Sequence, residues 1–523
     1  MNKKTLYSKE ARSAVKLGVS KITDAVKVTL GPTGRNVLIA RGEAINYGFV
    51  NYPLKITKDG YETTRGFNVD DHTEKVGVVL AKEAAQKTVD QAGDGTTSTV
   101  VLLNALIEKG VALIEGGANP MDIKRGLDAA VEIFVKELKK RSTPIADDNE
   151  KIFQIASISA NNDPVIGRII ADAFKKIGSE GIVDIDKSKS TETIIRIADG
   201  YRFDRSWVSP FFINKREEQI VEWENPWILL YEGIINHHKQ IEDLLEQVLN
   251  PQAGGNRPII IICQDAVEEG LGFLVANMQQ GRLKVVVVKA PGFLDSKREE
   301  MEDIAVLTGG EYISYSKGMD IMEADLGHLG QAEKVIVNKE ETIIIGGKTD
   351  KEALENLIAE LRMNLTQAKN EDEAYPIEKR IAKLTAGVAV IEVGAHTETE
   401  MLEKMDRYDD AVRATKSAIA EGYIVGGGTA YLRIKTGNEL FDSSTRRILE
   451  QICENTGEDP EKIIELVEKK KGSFGYNAKT MVIEDLAKAG VLDPVKVIRC
   501  AVQNAASSAG VALTTECLIA DVF

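Results

Sequence analysis

Apolar residues recur at helical spacing toward both ends of the chain and gather into short unbroken runs through its middle. In "MDIKRGLDAAVEIFVKELKKR" (121–141), Leu127, Val131, Phe134 and Leu138 share one face. Basic residues close its last turn, so the stretch predicts an amphipathic helix. A second long helix is expected over 398–422, with Met401, Met405, Tyr408, Val412 and Ile419 as its stripe. Helical patterns also flank residues 91–99, from Lys75 to Asp90 and from Val100 to Lys109. Between about 200 and 390 the period changes: the strand-like runs "RPIIIIC" and "KVVVVKAPG" alternate with shorter helices such as 266–280, which reads as α/β. Punctuation falls at 142–144, 199–200, 386–387 and 421–422, and no internal repeat is visible.

Length then sets the scale: 523 residues exceed one core and suggest about three domains. A hydrophobic share of 43% and a charged share of 28% are ordinary for globular protein. The net charge of −15 and isoelectric point near 5.1 argue against broad binding to nucleic acid or to an anionic membrane. One phosphate pocket is still compatible with that charge, because backbone amides and a metal act locally. Cys263, Cys453, Cys500 and Cys517 form no CxxC pair, so the thiols suit a reducing, cytoplasmic setting. Lys3 and Lys4 are followed by no apolar run, and the longest such runs elsewhere are strand-sized; neither a leader nor a membrane span is expected.

Candidate chemistry begins at Gly93-Asp94-Gly95-Thr96-Thr97-Ser98, between two helical patterns. The second helix starts with unpaired N–H groups and the positive end of its dipole, which favours a phosphate. Asp94 repels a phosphate directly but suits a Mg²⁺ ion that binds one. A helix-to-helix turn with a hydroxyl cap explains the same residues without a ligand, and the motif alone leaves both readings open. Two further glycine turns, 28–37 and 425–430, match neither the Walker loop nor the dinucleotide fingerprint. Asp59 precedes Gly60 in an ordinary turn signature. Asp410 falls opposite the apolar stripe of its helix, near Asp406 and Arg413, on a face either solvated or turned to a cleft. In the middle region Ile241, Leu244, Leu245 and Val248 form one stripe, and Leu271, Leu274, Val275 and Met278 another; "RSWVSPFFINK" lies upstream. Such stripes are read as core, or alternatively as an exposed surface for other proteins. His237-His238 has no partner at ligand spacing, which argues against a metal there.

"DAVKVTLGPTGRNV", "ITKDG", "AGDGTTST", "NPMDIKRG", "ISANND", "SPFFINK", "VKAPGF", "LTGG", "LTAGVAVIEVGA", "EGYIVGGGTAYLR", "GYNAKT" and "TTEC" follow one another in order. Together they closely resemble the group I chaperonins, the GroEL family, over nearly the whole chain. The resemblance implies the chaperonin fold, with a mainly α-helical equatorial ATPase domain (1–142 and 421–523). A small α+β intermediate domain (143–199 and 388–420) and an α/β apical domain (200–387) complete it. It implies ATP-driven folding of non-native polypeptides inside a ring of identical subunits, seven in the family, with Mg²⁺, K⁺ and a co-chaperonin as further partners.

Residue by residue, the resemblance makes Asp94 the Mg²⁺ ligand and Gly95, Thr96, Thr97 and Ser98 the phosphate contacts. Thr29, Leu30, Gly31 and Pro32 match one phosphate loop, and Lys58, Asp59 and Gly60 another. Thr29, Lys58 and Thr97 lie near the K⁺ position. Asp410, with Asp59, is implied in hydrolysis, as the carboxylate that activates water for attack on the γ-phosphate. Gly426, Gly427, Asn477, Ala478, Asp493 and Ile158 match contacts to the nucleoside. Trp207, Phe211, Phe212, Leu245, Leu271, Val275 and Ala276 match the surface that grips clients and the co-chaperonin. A holdase or scaffold of the same fold, insensitive to nucleotide, is the alternative function.

The chain departs from the family pattern in several places. The loop 40–55, which pairs neighbouring subunits in the family, is longer than usual. Between Gly428 and Asn477 the chain is shorter by roughly a helix, near the ring-to-ring contact, so single and double rings are both open. Thr33 replaces a usual lysine, Lys479 a small residue and Ala276 a bulkier aliphatic, and there is no Gly-Gly-Met tail. Ala276 and the altered ring contacts lead to the expectation of a relaxed or altered co-chaperonin requirement.

Overall fold

The structure is a computed structural model. It describes residues 2–40, 54–145, 148–160, 162–178, 181–188, 190–216, 218–252, 254–292, 295–349, 351–367 and 371–522. Most of the long 40–55 loop lies outside the described residues. The chain forms two compact units, one of Met1–Lys175, Lys187–Glu192 and Val393–Phe523, the other of Lys176–Asp186 and Thr193–Glu392.

The first unit is built on helices Ser8–Val26, His72–Ala92, Thr96–Glu115, Pro120–Lys140 and Val495–Leu513. Both chain ends close it: strand Asn2–Tyr7 pairs antiparallel with Cys517–Val522. Helix Thr96–Glu115 carries the apolar run Val100 to Ile107 and is long and apolar enough to cross a membrane, yet most of it is buried among its neighbours. A small polar network pins it there. The Thr88 and Thr99 hydroxyls meet at 3.0 Å, and Asn504 Nδ2 donates to Thr88 across the same core. The expected amphipathic helix is Pro120–Lys140, with Asn119 as its cap and Leu127, Phe134 and Leu138 buried. Ala130 takes the core position expected of Val131, which is half-buried.

Helix Glu398–Glu421 also belongs to this unit. Its buried face is mostly small, with Tyr408, Ala411, Val412, Ala414, Thr415 and Ala418 inside, while Met401, Met405 and Ile419 are half-buried. Small side chains let the helix approach closely: the Ser417 hydroxyl donates to the Ala92 carbonyl at 2.7 Å.

The second unit holds a mixed sheet. Val285–Lys289, Ile259–Cys263 and Trp227–Tyr231 run parallel, and Gly330–Val337, Thr342–Gly347 and Ile194–Phe203 continue it antiparallel. The "IIIIC" and "VVVV" runs are its centre, buried on both faces, as unbroken apolar strands require. Strand Ile194–Phe203 spans the expected boundary at 199–200: residues 194–199 pair with Gly387–Glu392, and residues 200–203 pair with Thr342–Ile345.

One buried charge stands out in the second unit. Asp303 is completely enclosed, and the Arg380 guanidinium grips both its oxygens at 2.8 and 2.9 Å. Burial raises the Asp303 pKa, and Arg380 opposes that rise. Removing the partner leaves an uncompensated charge in the core. Arg380→Met is therefore expected to lower stability by about 3–5 kcal/mol, read as an earlier urea midpoint for this unit. An unchanged midpoint would contradict the pairing.

Candidate functional site

The first unit brings together segments far apart in sequence. The Gly93–Gly95 turn links His72–Ala92 to Thr96–Glu115, and Gly95 has φ +92°, which a side chain tolerates poorly. No side chain caps the helix that follows, and first-turn N–H groups without a cap suit an anion. Beside it runs the 3₁₀ turn Lys27–Thr29, and the Thr29 and Thr97 hydroxyls meet at 3.1 Å. Asn455 fastens this turn by donating to the Lys27 and Leu30 carbonyls at 3.0 and 2.9 Å. Sequence reasoning did not single out Asn455, whose role depends on a contact across more than four hundred residues.

Asp59 caps the short helix Gly60–Gly66, accepting from the Tyr61 and Glu62 amides at 2.9 and 3.0 Å. Gly60 must be a glycine here: a Cβ would stand 1.9 Å from the Thr97 hydroxyl. The Asp59 loop thus lies against the Thr96–Thr97 turn. From the other side comes helix Glu398–Glu421, whose Arg413 side chain packs on Gly93 and pairs with Asp409 at 2.7 Å. Lys55 adds ion pairs to Glu62 at 2.8 Å and to Asp406 at 3.8 Å.

The result is a group of carboxylates that share one field. Burial raises the pKa of Asp94; the Gly95 amide pulls it back and Asp59 raises it again. Asp59 is raised by burial, against its two amide partners. Asp410 is pushed well above the ordinary 3.8 by burial and by the charges of Asp59, Asp94 and Asp409, with Arg413 in opposition. Asp493 is pushed up to about 7 by burial and by Asp94. Asp406, nearer the rim, is raised to about 6, first by burial. Asp59, Asp94, Asp410 and Asp493 each keep part of their surface open, so they line a cleft rather than a sealed core. Asp410 is half-buried, and the charges of Asp59, Asp94 and Asp409 act on it.

The remaining candidates gather on the Asp493 side. A Cβ on Gly426 would touch the Asp493 carboxylate at 2.5 Å, and one on Gly427 would meet the Tyr476 carbonyl at 3.2 Å. Ile158 is half-buried on helix Asn149–Ser159, which packs on strand Leu492–Pro494 beside Asp493. The Tyr431 phenol reaches the Ser98 hydroxyl. Asn477 and Ala478 are buried; the Asn477 amide donates to Glu484 at 2.7 Å and accepts from the Lys479 N–H at 3.0 Å. The Lys58 side chain is exposed. Leu30 is half-buried, and Gly31 and Pro32 are exposed.

This donor set fits a magnesium nucleotide. Mg²⁺ prefers hard oxygen ligands from one or two carboxylates plus phosphate and water. Asp94 offers a carboxylate with a single backbone partner among like charges, so a cation relieves the repulsion. The Thr33 and Thr429 hydroxyls are enclosed without a protein partner, as donors to a ligand would be. The paired Thr29 and Thr97 hydroxyls supply the neutral oxygens that K⁺ accepts.

In the second unit the expected client surface is only partly exposed. Phe211 is 62% exposed, Ala276 is exposed, and Trp207, Leu271 and Val275 are half-buried. Phe212 and Leu245 are corrections: both are core positions, because the Pro210–Phe212 turn buries Phe212 and helix Glu242–Leu249 buries Leu244, Leu245 and Val248 in the core of this unit.

A helical unit closed by both chain ends and a second unit built on a mixed sheet make a chaperonin architecture. The chain belongs to the TCP-1/cpn60 chaperonin family, which it matches over residues 22–522. Its ordered motifs make it a divergent group I member. Among solved structures it is similar to the chaperonin gp146 from the bacteriophage EL 2 (Pseudomonas aeruginosa), crystallised in the presence of ATP-BeFx in two forms. Identity is 20% in both; one alignment covers 98% of each chain with a TM-score of 0.68. The other covers 99% of each, with a TM-score of 0.64.

Because the folded pKa of Asp493 lies near 7 and its ordinary value is 3.8, the folded chain binds the extra proton between those values. Stability of the ligand-free protein through this group is therefore full below about pH 4 and is lost as pH rises through about 7. Asp493→Asn is expected to stabilise the ligand-free protein by about 1–3 kcal/mol at pH 8 and to change little at pH 4. Urea midpoints at the two pH values check this; an equal effect at both would contradict it.

Proposed function

We propose that this chain is an ATP-hydrolysing chaperonin that assembles with copies of itself into a ring, of seven by the family pattern, in the cytoplasm. It binds non-native polypeptides on its apical unit and folds them by ATP-driven domain movement and encapsulation. The observation that carries this reading is the convergence of Asp59, Asp94, Asp410 and Asp493 on the open start of helix Thr96–Glu115. Carboxylates so placed repel one another, and a polyanion would be repelled too unless a cation came with it. Mg²⁺·ATP meets both needs: Asp94 would hold the metal, while the amides of Gly95 to Thr97 receive phosphate oxygens. When bound, the metal neutralises charge on the transferred phosphoryl group. Thr29 and Thr97, with Lys58, would hold K⁺.

Asp410 then has one task. It orients a water and accepts its proton, and a carboxylate with a raised pKa accepts a proton more readily than an ordinary one. Asp59, fixed by two amides, holds the loop that faces it. Gly426, Gly427, Asp493 and Ile158 frame the nucleoside side. For clients, exposed Phe211 and Ala276 with the edges of Trp207, Leu271 and Val275 offer apolar surface that unfolded chains share regardless of sequence. A co-chaperonin would compete for the same surface, and Ala276 offers it less contact than a larger aliphatic would.

Asp410→Ala is expected to cut steady-state ATP turnover by about 100-fold or more while nucleotide affinity stays within a few-fold. Unchanged turnover would overturn the role of Asp410. Capture of an unfolded client with no nucleotide effect on its release, in the unmutated chain, would instead identify a holdase.

A further inference from the structure

Adjacent histidines in sequence offered no metal site, yet the fold brings a carboxylate to both. Glu269, in the first turn of helix Glu268–Gln279, places Oε2 3.1 Å from His237 Nε2 and Oε1 2.5 Å from His238 Nδ1. One ligand atom from each of the three residues lies within 4.8 Å of the others, the span of one coordination shell. The two imidazoles stack with centroids 4.5 Å apart, and each turns one nitrogen to Glu269. Glu242 Oε2 stands 3.7 Å from His238 Nε2. Without a metal, His238 Nδ1–H donates to Glu269 Oε1; a metal there would replace that proton and leave Nε2–H on the side of Glu242, an outer carboxylate of the kind that orients metal-bound histidines. Glu268 has φ +48°, a costly conformation for a residue with a side chain, at the point where the helix turns Glu269 onto the rings.

We propose that His237, His238 and Glu269 form a zinc site in the second unit, with a fourth position left to water. Two imidazoles and one carboxylate suit a borderline cation such as Zn²⁺, whereas Mg²⁺ requires harder, all-oxygen ligands. The site therefore differs in chemistry from the aspartate cleft. Coordination through His237 Nε2 places the proton on Nδ1, which now accepts from the Lys239 amide at 3.2 Å. Zinc loading gives up that contact and reshapes the His238–Gln240 turn. It also ties this turn, which precedes helix Glu242–Leu249, to the helix that carries Leu271, Val275 and Ala276.

The test is a zinc titration of chelator-stripped full-length chain in excess Mg²⁺, with Cys517→Ser as background because Cys517 is exposed. A chromophoric competitor reports free Zn²⁺, and Co²⁺ substitution reports the coordination spectrum. One Zn²⁺ per chain is expected, with tetrahedral Co²⁺ bands. Glu269→Gln and the double variant His237→Ala with His238→Ala should lose that equivalent, and Asp94→Asn should retain it. Glu242→Gln should weaken binding about tenfold without removing it. Glu269 and His237 are partly exposed, so their replacement spares the core, and matching thermal melts in chelator verify folding. No zinc uptake in the unmutated chain, or uptake that survives in Glu269→Gln and in the double histidine variant, would overturn the proposal.

Discussion

Four carboxylates in one cleft repel one another, and the chain holds them together without enough positive charge to offset them. Asp59 and Asp94 act on Asp410, Asp59 acts on Asp94 and Asp94 acts on Asp493, while Arg413 is committed mainly to Asp409. In water such charges would separate or be screened by solvent and counterions; inside protein their pKa values rise instead. The ligand-free cleft is therefore a site of stored electrostatic cost, relieved by protons at low pH and by a cation when a metal nucleotide is present. Affinity for a charged ligand and instability without it have the same origin.

The rest of the first unit is what keeps that arrangement from relaxing. The two chain ends pair as strands, and the last long helix packs against the helices that flank the Gly93–Gly95 turn. The Thr88, Thr99 and Asn504 network fixes the register of those helices. Ser417 ties the Asp410 helix to the carbonyl of Ala92, one residue before the turn that holds Asp94. Asp410 belongs to the same compact unit as Asp59 and Asp94, whose charges raise its pKa.

Much of this was legible in sequence for definite reasons. Long helices announced themselves through Leu127, Phe134 and Leu138, and the sheet through runs of isoleucine and valine, because burial selects residues by period. The phosphate turn was visible as a motif, but its carboxylate company was not, since Asp59, Asp94, Asp410 and Asp493 come from four separated segments. Their order along the chain became informative only through resemblance to a family. Phe212 and Leu245 were misplaced because an apolar residue in a turn or short helix looks alike whether it faces solvent or sheet. Asn455 and Glu269 were missed for a related reason: each acts on residues far away in sequence, and neither has a local signature.

The most direct test of the account is a structure determined with Mg²⁺ and a non-hydrolysable ATP analogue. It should place the phosphates at the start of helix Thr96–Glu115, the metal against Asp94, and the Asp410 carboxylate on the side of the γ-phosphate away from the leaving group. Nucleotide bound elsewhere on the chain, or bound in this cleft with Asp94 and Asp410 both turned away from it, would contradict the central claim.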